Sequence, residues 1–128
     1  MRDDLAPLAG MIAAPWIAAG MELGSHSLTH RRLTELDNEE ASSELVYSRL
    51  RIEAKLGIKC QHFACQWGQP EADLCIDRDP ALALAAGNHS FFTAMPRRAA
   101  AKTAPWMLPR VQMEPSWGDP ELRYAFCR

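Results

Sequence analysis

The stretch Gly20–Leu33, GMELGSHSLTHRRL, puts two histidines, His26 and His30, four residues apart after a short strand-like run. A pair at i and i+4 can present two imidazoles to one cation, on a helix turn or in a curved loop. Imidazole suits zinc, cobalt or nickel among divalent ions. Two nitrogens do not complete a catalytic site, because catalytic zinc takes three protein ligands and a water. Spacing alone leaves three readings open: part of a metal site, two ends of a helix turn, or chance.

Upstream, part of Asp4–Ala19 reads as a helix, kinked at Pro15 and stopped by Gly20. MELGS then reads as a short strand ending in the histidine loop. Downstream, Asp37 or Asn38 caps a long helix, and Asp37 with Glu40 has capping-box spacing. Leu45, Val46, Leu50, Ile52 and Leu56 form its apolar stripe, while Glu39, Glu40, Glu44, Arg49, Arg51, Glu53 and Lys55 supply a charged face. Gly57 is its C-cap.

Beyond Gly57, IKCQHFACQ reads as a buried strand and WGQPEAD as a loop. DPALALAAGN is a helix with Asp79 as cap and Pro80 in the first position. HSFFTA is a strand, MPRRAAAKTAP a loop or frayed helix, and WMLPRVQM a last short strand. DPELRYAF is a closing helix capped by Asp119. Strands alternating with helices predict an α/β fold with parallel strands, either a sheet or part of a barrel.

The chain has 128 residues, 48% apolar and 23% charged, the balance of one soluble globular domain. Its 14 basic and 16 acidic residues give a net charge of −2, and the densest basic cluster is only Arg97, Arg98 and Lys102. Nucleic acid is therefore not an expected partner. The apolar N-terminal stretch is interrupted by Pro7, Gly10, Pro15 and Gly20, so no membrane span is expected. The opening MRDD cancels its own positive charge, unlike the basic start of a signal peptide, so the compartment stays unassigned. Cys60, Cys65, Cys75 and Cys127 match no zinc-finger spacing and are expected as free, packed thiols.

The sequence around the histidines resembles the second motif of the polysaccharide deacetylase domain (NodB homology, carbohydrate esterase family 4). There a Gly-x-Glu-x-Gly strand precedes His-Ser/Thr-x-x-His; here Gly20, Glu22 and Gly24 precede His26, Ser27, Leu28, Thr29 and His30. FACQWG, from Phe63 to Gly68, is similar to the family's Phe-Ala-Tyr-Pro-aromatic-Gly loop. WMLPRVQM resembles the Leu-Pro-Arg strand of one subgroup. The likeness runs from about Pro15 to Gln112.

That resemblance implies a partial (β/α) barrel of the NodB deacetylase type and a metal-dependent hydrolase. Its substrate would be an acetylated polysaccharide or oligosaccharide, losing N- or O-acetyl groups. The cofactor it implies is a divalent metal, zinc first, with cobalt or nickel as alternatives. His26 and His30 map onto the two histidine ligands. Trp67, as the loop aromatic, would stack on a sugar or else anchor the core. Arg110 would supply the positive charge that many relatives place where Ala64 stands, or else form a surface ion pair.

The chain also departs from the pattern. The Phe-Asp-Asp-Gly motif, carrying the catalytic base and the aspartate ligand, has no clear counterpart in the 25 residues before His26. Asp3 and Asp4 read instead as an acidic pair at a helix start. Tyr and Pro of the third motif become Cys65 and Gln66. No histidine follows His89, and His62 and His89 read as packed or hydrogen-bonded residues. A closed barrel needs roughly 200 residues or more, so residues 1–128 are expected to form a single, N-terminally incomplete domain lacking its first strand or strands. An exposed parallel edge would favour self-association. Two functions follow as expectations: a deacetylase impaired by the missing aspartates, with its catalytic residues unassigned, or an inactive carbohydrate- or partner-binding remnant using Trp67, Trp106 and Trp117.

Overall fold

A computed structural model describes residues 13–97 and 99–126. Helix α1 is Asn38–Leu56, strand β1 His62–Ala64, helix α2 Asp79–Ala85, strand β2 Ser90–Phe92 and helix α3 Asp119–Phe126. β1 and β2 pair in parallel, with Phe63 opposite Phe91. Single parallel bridges extend this pair on both sides, Ser25 to Phe63 and Phe92 to Leu108. The result is four adjacent parallel segments in chain order, with α1 and α2 as crossovers, as alternating strands and helices predict.

The paired segments are shorter than the apolar runs suggested, for local reasons. The first ends because Ser27 turns left-handed at φ 64°. β1 runs out at Trp67 and Gly68, with φ 55° and 75°. The last is a single bridge at Leu108 because Pro109 follows and has no N–H to donate. Residues 13–18 are helical, and Gly20 at φ 84° stops them as expected. The earlier part of that expected helix, with Asp3 and Asp4, lies outside the described residues.

α1 begins and ends as its sequence predicts. The Asp37 side chain accepts from the Glu40 N–H, the Glu40 side chain accepts from the Asp37 N–H, and Gly57 closes the helix at φ 63°. Its buried face differs from the expected stripe. Ala41, Glu44, Leu45 and Ser48 are buried, whereas Leu50 is 43% exposed. α2 starts at Asp79 rather than after it, with Arg78 in the cap position.

One core joins these elements. Leu33, Leu36, Ala41, Leu45, Phe63, Cys65, Leu74, Ala83, Ala86 and Phe91 form a single buried cluster. Phe63 and Phe91 lie with ring centroids 5.4 Å apart between sheet and helices; burying each contributes about 1.5–3 kcal/mol. Arg78 ties the layers together. It donates to the Leu33 and Leu36 carbonyls and to the fully buried Asp79 carboxylate. The opposite face of the sheet carries His62, Ala64, Ser90 and Phe92, which alternate with Phe63 and Phe91 along the strands.

Candidate metal centre

The histidine loop is curved, not helical. Ser27 and His30 both adopt left-handed backbone, at φ 64° and 63°, and the Ser27 hydroxyl accepts from the His30 N–H at 2.9 Å. Left-handed residues at both ends of a four-residue loop turn the two imidazoles toward each other. Their Nε2 atoms lie 3.2 Å apart. Two imidazole nitrogens sharing a tetrahedral zinc at about 2.0–2.1 Å would stand about 3.3 Å apart, so the separation fits a shared cation.

The protonation pattern fits as well. His26 Nδ1 lies 2.7 Å from the Ala64 carbonyl oxygen, which can only accept, so Nδ1 carries the hydrogen and Nε2 the lone pair. Such a bond from the far nitrogen of a ligating histidine fixes tautomer and ring orientation. Desolvation lowers the His26 pKa against the pull of the Ala64 carbonyl, and the charges of Arg110 and His30 push the same way. The ring is thereby kept neutral, the form that binds a metal. Without a cation, His30 Nε2–H donates to His26 Nε2.

Three further side chains assemble around the pair. Trp67 packs edge-on against the His30 ring, centroids 4.6 Å apart. Over the Trp67 ring lies the Arg32 guanidinium, 4.3 Å from the centroid, a cation–π contact. Arg110 donates from its guanidinium to the Cys65 carbonyl at 2.6 Å, which ties the Leu-Pro-Arg segment to the loop after β1. Arg110, Pro109, Phe92, Ala64 and His26, with Glu22, Gly24, Ser25 and His62, line a cavity of about 560 Å³. All four side chains singled out in the sequence, His26, His30, Trp67 and Arg110, therefore meet at one end of the parallel segments.

In the same cavity His62 joins the segment before the histidine loop to β2. Its Nε2 lies 3.1 Å from the Glu22 carboxylate and its Nδ1 2.7 Å from the Ser90 hydroxyl. This is the hydrogen-bonded role expected of His62. The Glu22 carboxylate lines the same cavity as His26 and is paired there with His62. Among the described residues no three His, Cys, Asp or Glu side chains converge on one point. Asp3 and Asp4, the only aspartates ahead of His26, lie outside those residues, so the described site offers two nitrogens.

Two contributors were not visible in the sequence. Glu44, expected on a solvated face, is buried beneath the histidine loop. Arg32 lies 35 residues before Trp67 in the sequence, and nothing there connects the two. Cys60 and Cys65 are free and buried and Cys75 free and half-buried, as expected; Cys127 lies outside the described residues.

A family model described as polysaccharide deacetylase matches residues 11–79, just over half of the chain. No curated protein sequence gives a significant match. Among solved structures, the chain resembles Streptococcus pyogenes deacetylase PplD in complex with acetate, at TM-score 0.68 and 17% identity over 80% of this chain and 43% of that one. It also resembles IcaB from Ammonifex degensii, at TM-score 0.65 and 18% identity over 88% of this chain and 49% of the other. A family 4 carbohydrate esterase from Streptomyces lividans in complex with acetate matches at TM-score 0.55 and 21% identity, over 68% of this chain and 42% of that one. These likenesses are of fold, and the chain spans less than half the length of each of these structures.

Proposed function

The chain belongs to the polysaccharide deacetylase family, and on that premise we propose that His26 and His30 together hold a divalent cation used in deacetylating an acetylated carbohydrate. The observation that carries this reading is the facing pair of Nε2 atoms 3.2 Å apart, with the far nitrogen of His26 tied to the Ala64 carbonyl. A divalent ion held there would polarise an acetyl carbonyl and acidify water. Zinc is the first choice for two imidazoles, with cobalt and nickel as alternatives.

The protein's own groups then divide the work, beginning with the Ala64 backbone carbonyl. Ala64 fixes the His26 tautomer, and Trp67 backs the His30 ring while keeping 45% of its surface exposed for a sugar. Arg110 places a positive charge in the same cavity as His26, where it can orient a carboxylate or a polarised carbonyl. An aspartate ligand and a catalytic base complete the family's chemistry, and the described residues contain neither beside the pair.

Titration calorimetry with zinc and cobalt chloride, combined with acetate release from an N-acetylglucosamine oligomer, tests the reading. Metal binding and acetate release that both disappear in His26→Ala and His30→Ala support it. A second reading, carbohydrate binding without hydrolysis, is favoured by the two-nitrogen ligand set. Oligosaccharide binding that needs no metal, with no acetate released, would select it.

A further inference from the structure

Glu44 projects from α1 and is only 7% exposed, yet everything it accepts comes from the histidine loop. Oε2 accepts from the Leu28 N–H at 2.7 Å and the Thr29 N–H at 2.9 Å, and Oε1 accepts from the Thr29 hydroxyl at 2.5 Å. These three donors occupy the middle of the Ser27–His30 turn, between its two left-handed residues. A non-glycine residue in that conformation persists only where surrounding contacts enforce it. The Ser27 hydroxyl contact to the His30 N–H closes the turn from inside; Glu44 fastens it to the helix.

From these contacts we infer that Glu44 is a positioning residue for the histidine pair, holding the loop in the curvature that brings His26 and His30 Nε2 within reach of one cation. The inference rests on the metal-site reading above and adds a residue to it. Glu44 acts on the pair through the Leu28 and Thr29 amides and the Thr29 hydroxyl. Hydrogen-bonded partners behind a ligand typically change metal affinity 10–100-fold when removed.

Two substitutions separate positioning from bulk stability. Glu44→Leu keeps the helix and the apolar stem but offers no acceptor. Glu44→Gln keeps an acceptor for the two N–H groups and can donate its amide to the Thr29 oxygen. Cobalt(II) titration at a temperature where each variant is folded should show about a 10–100-fold weaker affinity in Glu44→Leu and near-complete rescue in Glu44→Gln. Asp37→Ala, which weakens the N-cap of the same helix, should lower the melting temperature without moving the cobalt affinity. Equal cobalt affinity in Glu44→Leu and wild type overturns the inference, as does a loss of affinity in Asp37→Ala as large as in Glu44→Leu.

If the wild-type protein binds no cobalt, the metal-site reading fails by itself, and Glu44 is judged in the metal-free protein. There, slow hydrogen exchange at the Leu28 and Thr29 amides, made fast by Glu44→Leu, upholds the loop-holding role; unprotected amides in the wild type overturn it. The same wild-type exchange measurement decides the matter if Glu44→Leu does not fold.

Discussion

Gly24 lies so close to β1 that a Cβ on it would stand 2.7 Å from the His62 carbonyl oxygen. The neighbouring Ser25 N–H donates to that same oxygen at 2.8 Å, and the Ala64 N–H returns a bond to the Ser25 carbonyl at 2.9 Å. The glycine thus lets the segment carrying His26 dock against the strand whose Ala64 carbonyl orients the His26 ring. Gly24→Ala must push these backbones apart, costing about 1–3 kcal/mol as for other overpacked sites. Urea unfolding would register that loss. Unchanged stability would mean the two segments are not held this closely.

Arg78 is the second point of leverage. Its guanidinium reaches the Leu33 and Leu36 carbonyls and the Asp79 carboxylate, which is fully buried. Replacing Arg78 by Met keeps the stem but leaves Asp79 without its cation. Removing one partner of a buried ion pair costs about 3–5 kcal/mol, and the lower end applies because the Arg78 side chain is 22% exposed. Chemical denaturation measures this directly. A loss under about 1 kcal/mol, the range of exposed pairs, would contradict it.

The Cys65 thiol makes a pH prediction. Burial, with the Asp79 and Asp73 carboxylates adding to it, pushes its pKa up to about 12. In the unfolded chain the thiol ionises near its ordinary value of about 8.5. Between those values the folded protein keeps a proton that the unfolded chain releases. Stability is therefore intact below that window and falls as pH rises through it, by at most about 1.4 kcal/mol per pH unit per thiol. Burial raises the Cys60 pKa too, in the same direction. Urea unfolding at pH 7, 9 and 10.5 should show a shallower decline in Cys65→Ala than in wild type. Identical slopes would remove Cys65 as a source.

How far the sequence foretold these features follows from how local each one is. The Asp37–Glu40 capping box and the Gly57 cap depend on a few neighbouring residues, and both are present as read. His26 and His30 were legible as a pair, because one short loop contains them. Glu44 was not, since a helix with acids on most faces does not reveal which one meets a loop 15 or 16 residues upstream. The same holds for Arg32 over Trp67, which joins residues far apart in the chain. Strand lengths were overread because apolar runs report burial, whereas the ladder stops wherever Ser27, Trp67 or Pro109 diverts the backbone.

Trp67 packs edge-on against His30 and keeps 45% of its surface exposed, so two substitutions would separate support of that ring from the proposed contact with a sugar. Trp67→Phe keeps a ring beside His30 and should preserve most cobalt affinity while weakening oligosaccharide binding. Trp67→Ala should weaken both, because the ring's contact area is lost on each side. Parallel cobalt and oligosaccharide titrations would show it. Unchanged sugar binding in Trp67→Ala would confine the ring to packing.

A cation held by His26 and His30, as proposed above, would register most directly in the long-range proton–nitrogen NMR spectrum of the two imidazoles, recorded before and after adding one equivalent of zinc. His26 is expected as the Nδ1–H tautomer from the start, held by the Ala64 carbonyl. On adding zinc both Nε2 resonances should shift together, with His30 moving its proton to Nδ1. Nε2 resonances that stay in place, or a shift in one ring alone, would contradict it.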